Sequence, residues 1–383
     1  MTTAFLDMVG ALMVIPLLPF YSEELGASKL LLGVLVSSFS AAQLLSAPLW
    51  GRVSDRYGRK PTLMIGLGAS VVAYVIFAFA HEFWMLLLSR VVQGAGGGTV
   101  GVIQAYVADA VAPKQRSRAL GWLSASTNAG VVLGPVFGSA AARWGMAAPG
   151  LLAAGLSLVN MFFASHYLKE SHGHEARQKA KSARSPMETA LRVVRHPGEP
   201  TSRLIWIYSV AIGAFYGVTA FLVLFLEERF GVTEQTVGWF FAYMGGLSVV
   251  IRIWLLGWVV DRIGEPRTVR LGAVLLAAGL GLTTFTTTLP VLALTVALIP
   301  LGTAFSFPAV TALLSQVIGD HERGVYMGVQ QTYGGILRVI YPLYAGWAWE
   351  QFGGAKVPFL TSAAFVLLTL LLGRRMEEYQ HRG

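Results

Sequence analysis

The chain has 383 residues, 55% of them hydrophobic and only 13% charged, whereas soluble domains carry about 25% charged residues. That balance belongs to a membrane protein, because a helix crossing the ~30 Å hydrocarbon layer takes about 20 mostly apolar residues. The formal charge of +9 does not mark a nucleic-acid binder, since the basic residues sit between apolar runs, and the absence of cysteine excludes disulfides and thiolate metal sites.

Apolar runs, read against charged or Gly/Pro breaks, predict an all-α integral membrane protein of twelve spans. The first six lie near 3–21 (span 1), 30–50 (span 2), 62–80 (span 3), 84–108 (span 4), 119–141 (span 5) and 147–168 (span 6). Six more lie near 204–226 (span 7), 235–258 (span 8), 268–288 (span 9), 290–314 (span 10), 325–348 (span 11) and 357–373 (span 12). The predicted organisation is an N-terminal six-helix bundle over 1–168, a linker over 169–203, a C-terminal six-helix bundle over 204–373 and a tail over 374–383.

Span 1 begins almost at Met1 without a charged leader or a small-residue cleavage site, so it reads as a span rather than a removable signal peptide. Residues upstream of this start are expected, and they would bury Asp7, the one carboxylate clearly inside a span. A carboxylate facing a dry cavity takes up and releases protons near neutral pH. At the end of a span it would instead be interfacial, and the sequence leaves both readings open.

The loop between spans 2 and 3 reads Gly51-x-x-x-Asp55-Arg56-x-Gly58-Arg59-Lys60. An aspartate there can pair with a cation or a helix N-terminus, and the glycines permit close approach and a tight turn. Residues 51–63 are echoed by 257–269, where Asp261 and Arg262 repeat but Glu265 replaces Arg59, and Arg116 to Gly121 is echoed by Arg323 to Gly328. Two six-span halves with equivalent loops point to a carrier in which one bundle rocks against the other.

In span 4, Leu88-x-Arg90-x-x-Gln93-Gly94 places an arginine inside the membrane, where it faces a polar cavity or, about six residues and ~9 Å from the span end, snorkels. The run Gly94 to Gly98 lacks a following Lys-Ser/Thr and reads as helix packing, not a phosphate-binding loop. Span 5 contains Gly130-x-x-x-Gly134-Pro135-x-x-Gly138, small residues four apart that let helices touch, with a proline that kinks.

The linker contains Lys169, Arg177, Lys179, Lys181, Arg184, Arg192 and Arg195. Met187, Leu191 and Val194 at helical spacing give it either a short helix on anionic headgroups or a solvated strand of chain. His172 and His174 read as solvated loop residues. Every Lys and Arg lies in 51–62, 113–118, 169–203, 261–270, 319–324 or the C-terminus, except Lys29, Arg143, Arg229 and Lys356 on the other side and three arginines within spans. Both termini are therefore expected in the cytoplasm. Trp50, Trp84, Trp144, Trp347 and Trp349 lie at span ends as interfacial anchors.

Arg338 in span 11 lies about 13 residues, ~20 Å, from the span's cytoplasmic end, too deep to snorkel easily. It is expected to face the cavity and to bind an anionic substrate or pair with Asp7; Arg252 in span 8 either joins it or snorkels. Tyr216, Tyr243, Tyr333, Gln43, Asn128, Gln330 and Gln331 are polar candidates for a substrate cavity or for gluing helices together.

At these motifs the sequence resembles the major facilitator superfamily, and within it the twelve-span drug–proton antiporters, over nearly its whole length. The resemblance implies a fold of two six-helix bundles, no cofactor, a monomer among membrane lipids, and a small-molecule substrate exchanged for protons across the cell inner membrane. It implies that the Asp55 loop latches the halves, with Asp109 and Arg118 completing its charge network, and that Gly130, Gly134, Pro135 and Gly138 mark an exporter. Asp7, Arg90 and Asp109 are the implied proton-coupling set. Tetracycline exporters carry a carboxylate just before a segment similar to Tyr74-Val75-Ile76-Phe77, where this chain has Ala73. A carrier for one anionic metabolite or lipid, held by Arg338 and Arg252, is the competing expectation; an intramembrane enzyme is not, because no metal cluster or Ser/His/Asp set is visible.

Overall fold

The computed structural model describes residues 1–97, 99–112, 115–168, 186–319, 322–373 and 376–379. Among these residues the fold is all-helical, with no strand. Helices satisfy every backbone group within their own segment, which a chain surrounded by hydrocarbon requires.

Eight helical stretches are long and apolar enough to cross a membrane, and one of them, Val237–Thr283, holds both span 8 and span 9. Spans 5 and 11 are the helices Arg116–Ala142 and Arg323–Phe352, and span 12 is the shorter apolar helix Lys356–Leu372. Twelve spans result, as the hydropathy predicts.

The helices are interrupted where the sequence forces it. Span 1 runs as Thr2–Val14, passes through a 3₁₀ turn over Ile15–Leu17 and resumes as Leu18–Glu24. Pro16 and Pro19 lack the amide hydrogens that an unbroken α-helix would use. Span 4 divides into Phe83–Gly96 and Thr99–Asp109 at the glycine run. There a β-carbon on Gly94 would lie 2.3 Å from the Phe39 carbonyl oxygen, and one on Gly96 would lie 2.6 Å from Ala69 Cβ. The run lets span 4 lie directly on spans 2 and 3. Span 8 holds one π-helical turn, Ile251–Leu255, between Val237–Val250 and Leu256–Thr283.

The repeat read from the sequence recurs in the backbone. Gly58, between the helices Lys29–Tyr57 and Arg59–Ala78, has φ 106° and ψ 162°; its counterpart Gly264 has φ 77° and ψ 162°. Both conformations disfavour a side chain. In each copy a threonine four residues on donates its hydroxyl to the glycine carbonyl, Thr62 to Gly58 and Thr268 to Gly264, both at 2.8 Å. Spans 5 and 11 likewise begin at the equivalent residues Arg116 and Arg323.

The chain forms two compact units. The first is Met1–Gln178 with Leu226–Gly245, and in it span 1 packs against spans 5 and 6 while span 3 packs against spans 4 and 6. The second is Lys179–Phe225 with Gly246–Gly383, in which spans 9, 10 and 12 pack together.

In the second unit the linker forms a helix, Pro186–Arg195. Its buried Thr189 and Val193 face inward, and the Tyr333 hydroxyl donates to the Ala190 carbonyl at 2.9 Å, while Met187, Leu191 and Val194 are exposed. The cationic residues 169–185 and His172 and His174 lie outside the described residues.

The tail returns to the same unit. Met376 is buried against Gly373, and Glu377 accepts from Arg270 Nη2 at 2.6 Å and Arg267 Nε at 3.5 Å. Arg270, and then Arg267, hold the Glu377 carboxyl below the ordinary carboxylate range. A group depressed on folding contributes above its unfolded pKa and loses that contribution as pH falls through its folded one. A spin label on a cysteine placed at position 379, in this cysteine-free chain, should therefore gain mobility as the protein is acidified below the ordinary carboxylate range. Glu377→Gln should make it mobile throughout, and equal mobility in both proteins at neutral pH would remove the clamp.

Candidate transport site

In the first unit, Asp7 lies on the helix Thr2–Val14 and is half-buried. One turn further along, Gly10 opens a space that span 3 fills from across the bundle. A β-carbon at Gly10 would lie 3.5 Å from Tyr74 Cε2, 3.6 Å from the Tyr74 hydroxyl and 3.7 Å from Ser157 Oγ of span 6. Tyr74 is only 1% exposed and accepts a 2.7 Å hydrogen bond from Gln93 Nε2 of span 4.

Span 3 meets span 4 through two parallel rungs. Tyr74 and Phe77, three apart on one helix face, take Gln93 and Arg90, three apart on the other. The Arg90 guanidinium lies over the Phe77 ring, 5.7 Å from its centroid, and donates to Ser89 Oγ at 3.2 Å. Arg90 is 1% exposed, so protein encloses its charge. Its Nε, together with Gln93 Oε1 and Ser157 Oγ, has no hydrogen-bond partner among the described residues. A buried polar cluster left open in this way has spare donors and acceptors near the Gly10 face of span 1, one helical turn from Asp7.

The span 5 glycines hold span 1 in position. A β-carbon on Gly130 would lie 2.9 Å from Met8 Cβ and from the Phe5 carbonyl oxygen. One on Gly134 would lie 2.8 Å from Leu12 Cβ and the Val9 carbonyl oxygen, and one on Gly138 would lie 2.1 Å from the Met13 carbonyl oxygen. The motif is thus a groove for the helix that carries Asp7. On another face of span 5, Gly238 approaches the Pro135 carbonyl, and its amide donates to Ser139 Oγ at 2.8 Å.

In the loop motif, Arg59 Nη1 pairs with Asp55 Oδ1 at 3.1 Å and donates to Ser54 Oγ at 2.9 Å. Lys60 reaches the Ser165 carbonyl and Arg56 lies over Tyr57. Gly51 has no neighbour that a β-carbon would meet. Arg118 is exposed, and the Asp109 side chain lies outside the described residues. In the second copy, in the other unit, Asp261 is exposed, Arg262 lies over Trp258, and Glu265 accepts from Gln316 Nε2 at 3.2 Å. Glutamate in place of Arg59 redirects that loop from its own aspartate to span 10.

The second unit carries a cluster of its own. The Arg338 guanidinium lies 5.5 Å from the Tyr216 ring centroid, and its Nε and Nη2 make long contacts with the Gly334 carbonyl at 3.4 Å and Gln331 Oε1 at 3.5 Å. Gln331 in turn donates to the Tyr208 hydroxyl at 3.3 Å. No carboxylate pairs with Arg338 among the described residues. Arg252 is exposed on the π turn, whose wider winding the sequence does not reveal.

The Major Facilitator Superfamily model matches residues 1–255 and 225–381. The chain belongs to that superfamily. It is 27% identical to the class B tetracycline resistance protein of Escherichia coli over 90% of this chain and 89% of that protein. It is 28% identical to multidrug resistance protein 2 of Bacillus subtilis over 96% of this chain and 91% of that one. The crystal structure of the human organic anion transporter MFSD10 superposes with a TM-score of 0.71 at 24% identity, covering 97% of each chain.

As a member of the major facilitator superfamily the protein is a multi-pass membrane transporter and not an enzyme. For such a transporter the structure places Asp7 and Arg90 in the first unit and Arg338, Tyr216 and Gln331 together in the second. Gln43 donates to the Gly97 carbonyl at the break in span 4, and Asn128 bonds to Ser124 of its own helix. Tyr243 is exposed on span 8. The structure adds Tyr74, Phe77 and Tyr208 to these residues; the i, i+3 spacing of Tyr74/Phe77 and of Arg90/Gln93 is a sequence signal for the first two, and Tyr208 has none.

Proposed function

We propose that this chain is a proton-coupled antiporter that exports small amphipathic compounds by alternating access. It lies in the cell inner membrane as a monomer, with both termini in the cytoplasm. The observation that carries the reading is the seating of the Asp7 helix in the Gly130–Gly138 groove, with Gly10, one turn from Asp7, packed against Tyr74, which Gln93 holds. A carboxylate that changes charge there alters the electrostatics of the bundle, which is how proton binding biases one transport state over another. The names of the tetracycline and multidrug resistance relatives support export. Because Ala73 is fully buried and carries no charge, ethidium is a better first probe than tetracycline.

The test uses purified protein in liposomes with an imposed pH gradient. Ethidium should move against protons and stop when the gradient is collapsed by an ionophore, and movement indifferent to the gradient would overturn the coupling.

Arg338 over Tyr216 favours a second reading, a carrier for an organic anion. A guanidinium with no carboxylate partner recognises carboxylate or phosphate, and an aromatic face beside it suits a flat apolar body. Arg338→Gln should then weaken binding of fluorescein, an aromatic carboxylate, by about tenfold, or ~1.4 kcal/mol, while leaving ethidium unchanged. Equal affinities for both probes in the variant and the parent would remove Arg338 from substrate recognition.

A further inference from the structure

The Tyr74 hydroxyl has one role filled and one open. It accepts from Gln93 Nε2 at 2.7 Å, and its own hydrogen has no acceptor among the described residues. It belongs to span 3, whose backbone stays back from span 1, so the long tyrosine side chain is what carries a polar atom to the Gly10 face. Gly10 leaves room for it, since a β-carbon there would be in van der Waals contact with both the ring and the hydroxyl. Asp7 lies one turn away on the same helix, at ~4.5 Å axial rise.

The surroundings restrict what else could serve. Span 6 offers Ser157 and Asn160, neither titratable, and Asn160 donates to the Thr3 carbonyl at 2.9 Å. Span 5 presents glycines to span 1. Span 4 presents Gln93 and Arg90, and span 3 presents Phe77 besides Tyr74. Asp7, Tyr74 and Arg90 are thus the titratable or charged groups that the described residues bring near this point.

We infer that Tyr74 is a positioning residue for the proton site, its hydroxyl donating to the ionised Asp7 carboxylate while Gln93 fixes the ring against the Arg90 rung. The inference rests on the reading of Asp7 as the proton carrier. When Asp7 is ionised, Tyr74 offers the carboxylate a hydrogen; when Asp7 is protonated, that donor is released to Ser157 or to a neutral carboxyl oxygen. A hydrogen bond made to the charged form favours that form. Arg90, one helical turn from Gln93, supplies a fixed positive charge behind the tyrosine and has no need to move.

The test needs no transported substrate. Infrared titration of the purified full-length protein follows the carbonyl band of protonated carboxyl groups, and the component lost in Asp7→Asn belongs to Asp7. In Tyr74→Phe, which keeps the ring against Gly10, the midpoint of that component should move upward by about one pH unit. Gln93→Leu should move it in the same direction by less, by freeing the hydroxyl from its anchor. An Asp7 component with an unmoved midpoint in Tyr74→Phe would overturn the inference and leave Asp7 as carrier. If Asp7→Asn removes no component at all, the proton-carrier reading itself fails, and the inference with it. Should Tyr74→Phe misfold, Gln93→Leu and the fluorinated Tyr74, whose more acidic hydroxyl lowers the midpoint, give the same decision.

Discussion

Asp7→Asn should reduce proton-driven ethidium exchange in liposomes to the level of empty vesicles while binding of ethidium persists. Asparagine matches aspartate in shape, so the packing of span 1 in the Gly130–Gly138 groove is kept. What disappears is the ability to gain and lose a charge. Without it span 1 carries the same charge in every state, and the gradient has nothing to act on. Equilibrium binding and gradient-driven flux, measured on one preparation, separate the two properties. Flux equal to the parent's would move the coupling role away from Asp7, with Asp109 the next carboxylate to replace.

Gly138→Leu is expected to be the most damaging of the span 5 substitutions. The β-carbon position at Gly138 lies 2.1 Å from the Met13 carbonyl oxygen and 2.8 Å from its carbon, and both are backbone atoms that cannot rotate away. Span 1 must shift bodily, and with it Asp7. Overpacking a tight contact costs about 1–3 kcal/mol, and the remaining leucine atoms add to it. Yield of folded protein, thermal midpoint and flux should all fall. Gly138→Ala should still be clearly destabilising, and Gly130→Ala, whose nearest approaches are 2.9 Å, should be milder. Gly121→Ala, on the same helix with nothing within 4 Å, should be neutral. A ranking in which Gly121 suffers as much as Gly138 would show that helix flexibility, rather than contact with span 1, explains the motif.

The twelve spans were legible because hydrocarbon imposes one requirement on every segment, and runs such as Leu289–Val317 meet it without ambiguity. The repeat was legible because Gly58 and Gly264 occupy equivalent loops and each needs a conformation that side chains resist. The glycine spacing of span 5 announced a close helix contact, but it did not name the partner, which depends on how helices are assembled in space. For the same reason Tyr74 stood in the sequence as an ordinary apolar-span tyrosine. Its role appears only when span 3 is set against span 4 and both rungs fall into register. The π turn at Ile251–Leu255 was hidden too, since nothing in Ile-Arg-Ile-Trp-Leu distinguishes it from an ordinary helical run.

The paired loops at Gly58 and Gly264 carry a further consequence. Both have the same bend and the same threonine tie, yet one holds an aspartate–arginine pair and the other has turned its glutamate outward to span 10. Shape and charge have therefore been separated within a single chain. We propose that the loop at Gly58 is a latch fastened by the Asp55–Arg59 pair, and that the loop at Gly264 keeps the shape without an equivalent pair among the described residues. On that proposal Asp55→Asn should leave the bend at Gly58 and its threonine tie intact and shorten the time the latch stays shut.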